Sequence, residues 1–418
     1  MSPEPFQRRD HVLRADGVPL TDIAERFGTP TYVYCGDAIA ARYGAFDAAF
    51  ARHPHRICYA VKANANLAVL GLLARLGAGF DIVSGGELER VLRAGGKPEQ
   101  IVFAGVGKSR AEIDRALAVG IGCFNVESAA ELGRIEHAAR AAGRPAPISI
   151  RVNPDVDAVT HPYISTGLKE NKFGVAMAPA FGLYRQAAAS PWLDVHGIDC
   201  HIGSQLTRIE PFVDALRRVL DLVDRLGEEG IHLAHIDVGG GLGVRYRDEA
   251  PPETARYAEA LLGELQGRPQ TLLLEPGRWL VAEAGVLLTR VEYLKENEGR
   301  HFAIIDAAMN DLMRPALYQA WHDIVPVTDQ PGAAEQVVDV VGPVCESSDV
   351  LGRERPLAVR EGDLLAILDA GAYGFGMASN YNSRNRPAEV LVRQGEARLV
   401  RRRETIEDQL ALESVDGL

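Results

Sequence analysis

The run Ile57-Cys58-Tyr59-Ala60-Val61-Lys62-Ala63-Asn64 begins as an apolar, strand-like segment and ends on a lysine followed by small and polar residues. A lysine at the C-terminal end of a buried strand is expected to hold its amine in a low-dielectric pocket. Desolvation disfavours the charged form there, which lowers the pKa and leaves a nucleophile suited to Schiff-base chemistry. A single lysine in this position more often simply reaches back to solvent. The surrounding chain decides between the two.

Working outward, short apolar runs alternate with longer helix-like segments from about residue 30 to 282. The strand candidates are Ile57–Val61, Phe80–Val83, Ile101–Ala104, Cys123–Val126, Ile148–Val152, Val195–His201, His235–Val238 and Thr271–Leu274. Between them, Leu67–Leu76, Gly86–Ala94, Ser109–Ala118 and Pro211–Leu226 repeat apolar residues at three- and four-residue spacing, as amphipathic helices do. Alternating strands and helices imply parallel strands with helices outside, and about eight strands is what a (β/α)8 TIM-type barrel needs. An open doubly wound sheet is the competing α/β architecture, and it has no need of an eighth strand. The domain expected over 30–282 is therefore a barrel.

Beyond about Val286 the texture changes to short alternating runs broken by Gly, Pro and Asp: Val286–Tyr293, Phe302–Ile305, Glu335–Val341, Leu364–Ile367, Glu389–Arg393 and Glu396–Arg401. That pattern predicts a C-terminal all-β domain over 283–418. The short β-like pieces Val12–Leu13 and Thr31–Tyr34 fit either domain.

Composition narrows the class. A chain of 418 residues with 47% hydrophobic residues can bury a large core. Its formal charge of −12 is spread along the chain, which argues for a soluble protein and against nucleic-acid or anionic-membrane surfaces. The five cysteines are scattered and include no CxxC pair, which favours reduced thiols in a cytoplasm over disulfides or a zinc site. The N-terminus lacks the apolar core of a signal peptide, and no apolar run is long enough to span a bilayer.

Active sites of such barrels sit where the strands end. Strand one ends in Lys62, and strand two runs into Asp81 and Ser84-Gly85-Gly86-Glu87. Strand five ends in Arg151-Val152-Asn153-Pro154, and strand six in His201-Ile202-Gly203-Ser204. Strand seven leads to Gly239-Gly240-Gly241-Leu242-Gly243, and strand eight to Glu275-Pro276-Gly277-Arg278. The glycine run would let backbone N–H groups approach an anion, with a following helix N-terminus adding its dipole. A flexible turn is its ordinary alternative. Glu275 closes an apolar strand and needs a partner, either Arg278 or a protonated pyridine nitrogen, where it would strengthen an electron sink. His201 could lie on a ring face. A phosphate cradle, a Schiff-base lysine and a carboxylate for a pyridinium describe pyridoxal 5′-phosphate (PLP).

The second domain has its own cluster: Asp306 to Tyr318, with Arg314 and Tyr318 at helical spacing, then Cys345-Glu346-Ser347-Ser348-Asp349 after a Gly-Pro turn, and Tyr373 after a strand. The polar neighbours of Cys345 argue against burial and for chemistry.

With these residues in view, the chain resembles, essentially end to end, the diaminopimelate decarboxylase family. That family belongs to the alanine-racemase-like, fold-type III PLP enzymes, which also include ornithine and arginine decarboxylases. Tyr59 to Asn64 looks like the PLP-lysine motif. His161-Pro162-Tyr163-Ile164-Ser165-Thr166-Gly167, with Lys169 through Gly174, looks like the active-site loop. The resemblance implies that Lys62 carries PLP covalently. Asp81, His201, Ser204, Gly240, Gly241, Glu275, Pro276, Gly277, Arg278 and Tyr373 would surround the cofactor, with Glu275 on the pyridine nitrogen. Arg278, Arg314, Tyr318, Glu346 and Tyr373 would bind substrate, and Cys345 would donate the proton. It further implies a homodimer in which Cys345 and Glu346 reach into the other subunit's site, and an N-terminal segment packed with the β domain. The implied activity is decarboxylation of meso-2,6-diaminoheptanedioate to L-lysine and CO2, the last step of lysine biosynthesis. Ala308 departs from an expected glycine, and Ser348 stands where glycine is common.

Three other readings compete. A racemase on the same fold would want a cation at the pyridine nitrogen and a tyrosine as second base, and Glu275 and Cys345 speak against it. A decarboxylase of ornithine, lysine or arginine would place a carboxylate near the distal amine without two arginines nearby. A PLP-binding regulator without turnover would lack Cys345 or the substrate arginines.

Overall fold

The computed structural model describes residues 4–156, 172–329, 332 and 334–415. The chain divides into two compact units, one of residues 43–245 and 249–279, the other of residues 1–42, 246–248 and 280–418.

The first unit is a closed parallel barrel. Its strands are β1 (His55–Ala60), β2 (Gly79–Ile82), β3 (Ile101–Phe103), β4 (Cys123–Val126), β5 (Ala146–Asn153), β6 (Leu193–Asp199), β7 (His235–Asp237) and β8 (Thr271–Leu274). Each pairs with the next, and β8 closes on β1 through Leu272–His55 and Leu274–Ile57. The side chains of Tyr59, Phe80, Phe103, Phe124, Ile148 and Leu272 are buried, as expected of strands covered on both faces. The helices follow from local signals. Ser84, Ser109 and Ser128 each cap the helix after a strand by accepting an N–H three residues on. Ser109 and Glu112 complete a reciprocal capping box. In Glu210–Glu228, the residues Phe212, Leu216, Val219, Leu220, Val223 and Leu226 line the buried stripe. Among the described residues, no helix is long and apolar enough to cross a membrane.

The second unit is mostly sheet. Its main sheet runs Val350–Leu357, Gln336–Val341, Arg300–Ile305, Gly285–Asn297, Thr31–Cys35, Ala388–Arg393, Glu396–Arg401, with Leu364–Ile367 and Ile324–Pro326 attached. Two corrections arise here. Thr31–Cys35 is a wholly buried strand of this sheet, flanked by Gly285–Asn297 and Ala388–Arg393, so a barrel boundary at residue 30 is too early. Tyr246–Asp248 also belongs to the β-rich unit, inside the expected barrel range. Val33, Val286, Leu288, Val390 and Val392 form this unit's core with Leu20 and Ile23 of the helix Leu20–Phe27. The loop expected at His161–Gly167 and Lys169 lies outside the described residues.

Candidate active site

Lys62 sits in a one-turn 3-10 segment, Val61–Ala63, directly after β1. Its side chain is 37% exposed, and Nζ lies 2.7 Å from Oδ2 of Asp81, a fully buried residue of β2. The expected desolvated, buried amine is thus corrected. A carboxylate partner favours the ammonium, so Lys62 is aimed and held by Asp81 rather than activated by burial.

Behind this pair lies a set of buried carboxyls, in which Glu275, expected from the sequence, is joined by two aspartates that sequence reasoning missed. Asp199 ends β6, Asp237 ends β7, and Glu275 follows β8; their oxygens lie within 4.8 Å of one another. Burial, then Asp237, Asp81 and Asp199, push the Glu275 carboxyl well above its usual range, against a smaller opposing pull from Lys62. Burial likewise raises Asp237, to about 7. Burial and close acidic neighbours hold both carboxyls toward the protonated form. Glu275 Oε1 is buried without a hydrogen-bond partner among the described residues. An acceptor left in this state calls for a donor or a cation, and a protonated pyridine nitrogen is both, so the residues fit that part of PLP. The one signal in the sequence was an aspartate inside each of two otherwise apolar strands, Gly197-Ile198-Asp199 and His235-Ile236-Asp237.

This cluster has a pH consequence. A carboxyl whose folded pKa lies above its unfolded value contributes stability below the unfolded pKa and loses it as pH rises through the folded one. Asp237 places that window between about 4 and 7. Cofactor-free protein should therefore lose thermal stability from pH 5 to pH 8. Asp237→Asn, which keeps the oxygen that accepts the Gly239 N–H at 2.8 Å, should flatten that loss. Parallel melting curves for the two proteins would refute it.

The glycine run after β7 has no room for side chains. A Cβ on Gly240 would lie 2.2 Å from the Glu275 carbonyl oxygen, and one on Gly241 (φ +111) 2.5 Å from that of Gly203. Such bare backbone is what close approach to a phosphate demands. The expected helix dipole is corrected, because the next helix begins only at Thr254. The Gly240 N–H donates to His201 Nδ1 at 3.1 Å. Burial, then Arg151 and Lys62, push the His201 pKa well down, so the imidazole is neutral. Arg278 Nη2 donates to Ser204 Oγ at 3.1 Å, and the Pro276 carbonyl accepts the Ala60 N–H at 3.3 Å. Gly277 packs against Ala60 and Ala63, which ties the end of β8 to the turn that carries Lys62. Arg151 meets Glu127 at 2.9 Å, and Glu127 accepts the Gly174 N–H at 2.7 Å.

In the β-rich unit, Arg314 and Tyr318 bound the short helix Arg314–Tyr318. Arg314 Nη1 lies 2.7 Å from His322 Nε2, and its guanidinium lies over the Tyr246 ring at 4.3 Å. Cys345 is the exposed one of the five cysteines, and its N–H donates to Asn382 Oδ1 at 3.0 Å. Glu346 accepts a 2.5 Å hydrogen bond from the Tyr381 hydroxyl, which raises the phenol's pKa. Tyr373 is half-buried with φ +55, a strained conformation of the kind held at functional sites. Ala308 is buried, and its N–H donates to Asp311; Ser348 is exposed, with Oγ 3.8 Å from Met309 Sδ. Tyr381, Tyr246 and His322 also escaped the sequence reading, since only the fold brings them to Glu346 and Arg314.

Comparison with known proteins fits this geometry. Residues 36–282 match the family model described as pyridoxal-dependent decarboxylase, pyridoxal binding domain. A diaminopimelate decarboxylase of Pseudomonas aeruginosa is 61% identical over 98% of this chain and 99% of its own length. One from Vibrio cholerae is 59% identical over 98% of each. Among solved structures, the M. jannaschii diaminopimelate decarboxylase in complex with L-lysine superposes with a TM-score of 0.94 at 42% identity, covering 99% of both chains. The chain therefore belongs to the diaminopimelate decarboxylase family of pyridoxal-dependent decarboxylases.

Proposed function

We propose that this protein removes one carboxylate from meso-2,6-diaminoheptanedioate to give L-lysine and CO2, using PLP attached at Lys62. The observation that carries the reading is Lys62, ion-paired with buried Asp81, on the barrel rim that also presents the unpartnered carboxyl of Glu275. The full-length similarity to diaminopimelate decarboxylases supports the choice of substrate.

Bound PLP supplies an electron sink for the pair left behind when CO2 departs. The chain's own residues do the rest. Gly241, Ser204, Gly277 and Arg278 would hold the phosphate with backbone N–H groups and one guanidinium, and Gly240, whose N–H goes to His201, would leave room for it. Glu275 would keep a proton on the pyridine nitrogen, since a cation there would relieve its crowding by Asp237, Asp81 and Asp199. His201, neutral, would lie against the ring without competing for that proton. Tyr373 would contact both cofactor and substrate. Arg278, Arg314 and Tyr318 take the substrate's carboxylate that stays, and Glu346 takes its distal ammonium. Cys345 hands its thiol proton to the carbon that lost CO2. Cys345 and Glu346 act in the site of a second copy of the chain, making the working unit a homodimer. Free thiols at all five cysteines accord with a cytoplasmic location.

The direct test is CO2 release from meso-diaminopimelate, run beside L-ornithine and L-lysine. Product without the diaminopimelate preference would move the protein to the basic amino-acid decarboxylases. Cys345→Ala should bind substrate yet turn it over about a hundredfold more slowly or more, or protonate the carbanion wrongly. Unchanged turnover and product would assign the proton to another group. Mixing Lys62→Ala with Cys345→Ala should restore part of the activity through hybrid dimers. Absence of recovery, with subunit exchange demonstrated, would mean self-contained sites.

A further inference from the structure

The exposed loop that carries Cys345 and Glu346 is gripped from two sides. At its base, Asp349 is buried, and its carboxylate accepts the Val344 N–H at 2.7 Å and the Met309 N–H at 2.6 Å. That grip fixes the backbone and leaves Cys345, Glu346, Ser347 and Ser348 projecting from it. The second grip comes from the turn Tyr381–Ser383. The Tyr381 hydroxyl donates to Glu346 Oε1 at 2.5 Å, and Asn382 Oδ1 accepts the Cys345 N–H at 3.0 Å. Two adjacent residues of the turn thus hold two adjacent residues of the loop, each through a single side-chain group.

The turn is itself over-determined. Asn382 and Ser383 both have φ +54, the left-handed region that most side chains avoid and asparagine tolerates. Its flanks are tied down: Asn380 Nδ2 donates to the Arg384 carbonyl at 3.0 Å, the Ser379 N–H to the Asn310 carbonyl at 2.9 Å, and Gln409 Nε2 to the Ser383 carbonyl at 3.3 Å. Backbone held in such a conformation persists where its surroundings enforce it. Here the enforced conformation points Tyr381 and Asn382 at the two loop residues to which substrate chemistry has been assigned.

We propose that Tyr381 and Asn382 are positioning residues for the decarboxylation. Asn382 sets the line along which the Cys345 thiol approaches the carbon that loses CO2, and Tyr381 aims the Glu346 carboxylate at the distal ammonium. The inference rests on the roles proposed above for Cys345 and Glu346. The form of each grip suits its task. Asn382 holds Cys345 by the backbone N–H and leaves the thiol free to give up its proton. Tyr381 occupies Oε1 of Glu346 and leaves Oε2 for the substrate. The hydrogen bond to Glu346 raises the Tyr381 pKa, so the phenol remains a donor through neutral pH.

The test uses full-length, PLP-loaded variants. Asn382→Gly removes the acceptor yet permits the same φ, whereas Asn382→Asp keeps both. Asn382→Gly should lower kcat about tenfold or more with KM little changed, and Asn382→Asp should recover most of the loss. Tyr381→Phe should do the reverse, raising KM for meso-diaminopimelate about tenfold with kcat little changed. A second readout follows the proton. In heavy water the bond to CO2 is replaced by a bond to one deuteron from the exchanged thiol. NMR of the L-lysine should show that label in one configuration for wild type and Tyr381→Phe, and in both configurations for Asn382→Gly. A merely structural loss would reduce the amount of active enzyme without mixing the label. Wild-type kcat with a pure label in Asn382→Gly, no recovery in Asn382→Asp, or an unchanged KM in Tyr381→Phe would overturn the proposal. Undiminished turnover in Cys345→Ala would instead overturn the donor assignment on which it rests. Tyr381 is 42% exposed, so losing its hydroxyl leaves the fold intact and its half of the test decisive.

Discussion

Replacing Lys62 with alanine is expected to abolish the covalent attachment of PLP and lower turnover by a factor on the order of a thousand or more, as loss of a covalent catalytic group does. Lys62 Nζ lies 2.7 Å from Asp81, in the turn after β1, and Gly277 locks that turn against the end of β8. Wild-type protein loaded with PLP should be yellow, and borohydride reduction followed by peptide mapping should mark the peptide that contains Lys62. A label on any other lysine sinks the assignment. Asp81→Asn separates aiming from bonding: Lys62 should still be labelled but with slower turnover, since the side chain's shape remains and the ion pair does not. Full activity in Asp81→Asn would mean that the ion pair is incidental.

The second large effect concerns the far end of the substrate. Arg314 is 6% exposed, stacked over Tyr246 and set against His322 Nε2. His322 Nδ1 faces the Leu368 carbonyl at 2.8 Å and must donate there, which leaves Nε2 as an acceptor for the guanidinium. A neutral imidazole orients the arginine without cancelling its charge. That charge suits a carboxylate that stays on the substrate, because a tight ion pair to the departing one would oppose its loss. Glu346, oriented by Tyr381, suits the ammonium beside it. A diamino diacid answers both groups. L-Ornithine and L-lysine lack the distal carboxylate and would leave the arginine's charge without its counterpart. Rejection in kcat/KM on the order of a thousandfold or more is expected. Arg314→Ala should act chiefly through KM, and Arg314→Lys should restore little, because an ammonium lacks the planar fork. Comparable wild-type efficiency on L-ornithine would overturn this reading, and so would a full rescue by lysine.

Much of this was legible in the chain. Cys123–Val126 and Thr271–Leu274 are strands with the bounds that their apolar runs suggest, because turn residues punctuate them on both sides. Lys62, Gly240, Gly241 and Glu275 were legible as strand-end chemistry because a barrel gathers its strand ends on one rim. Thr31–Cys35 was not assignable, since a five-residue buried run reads alike in either unit and only long-range pairing chooses between them. Val350–Leu357 went unseen because Gly352, Arg353, Glu354 and Arg355 break its alternation.

By itself, the order of residues determined the alternation of strand and helix, the positions where only glycine fits, and which side chains reach the ends of the strands. Tertiary structure alone decided how those ends act on one another. Asp199, Asp237 and Glu275 come from three separate strands, and barrel closure brings their oxygens within 4.8 Å. It likewise set Asp81 against Lys62 and so chose an ion pair over a desolvated amine. The reason is that a charge in a low-dielectric interior answers to distance and burial, and neither is a property of a residue's place in the chain.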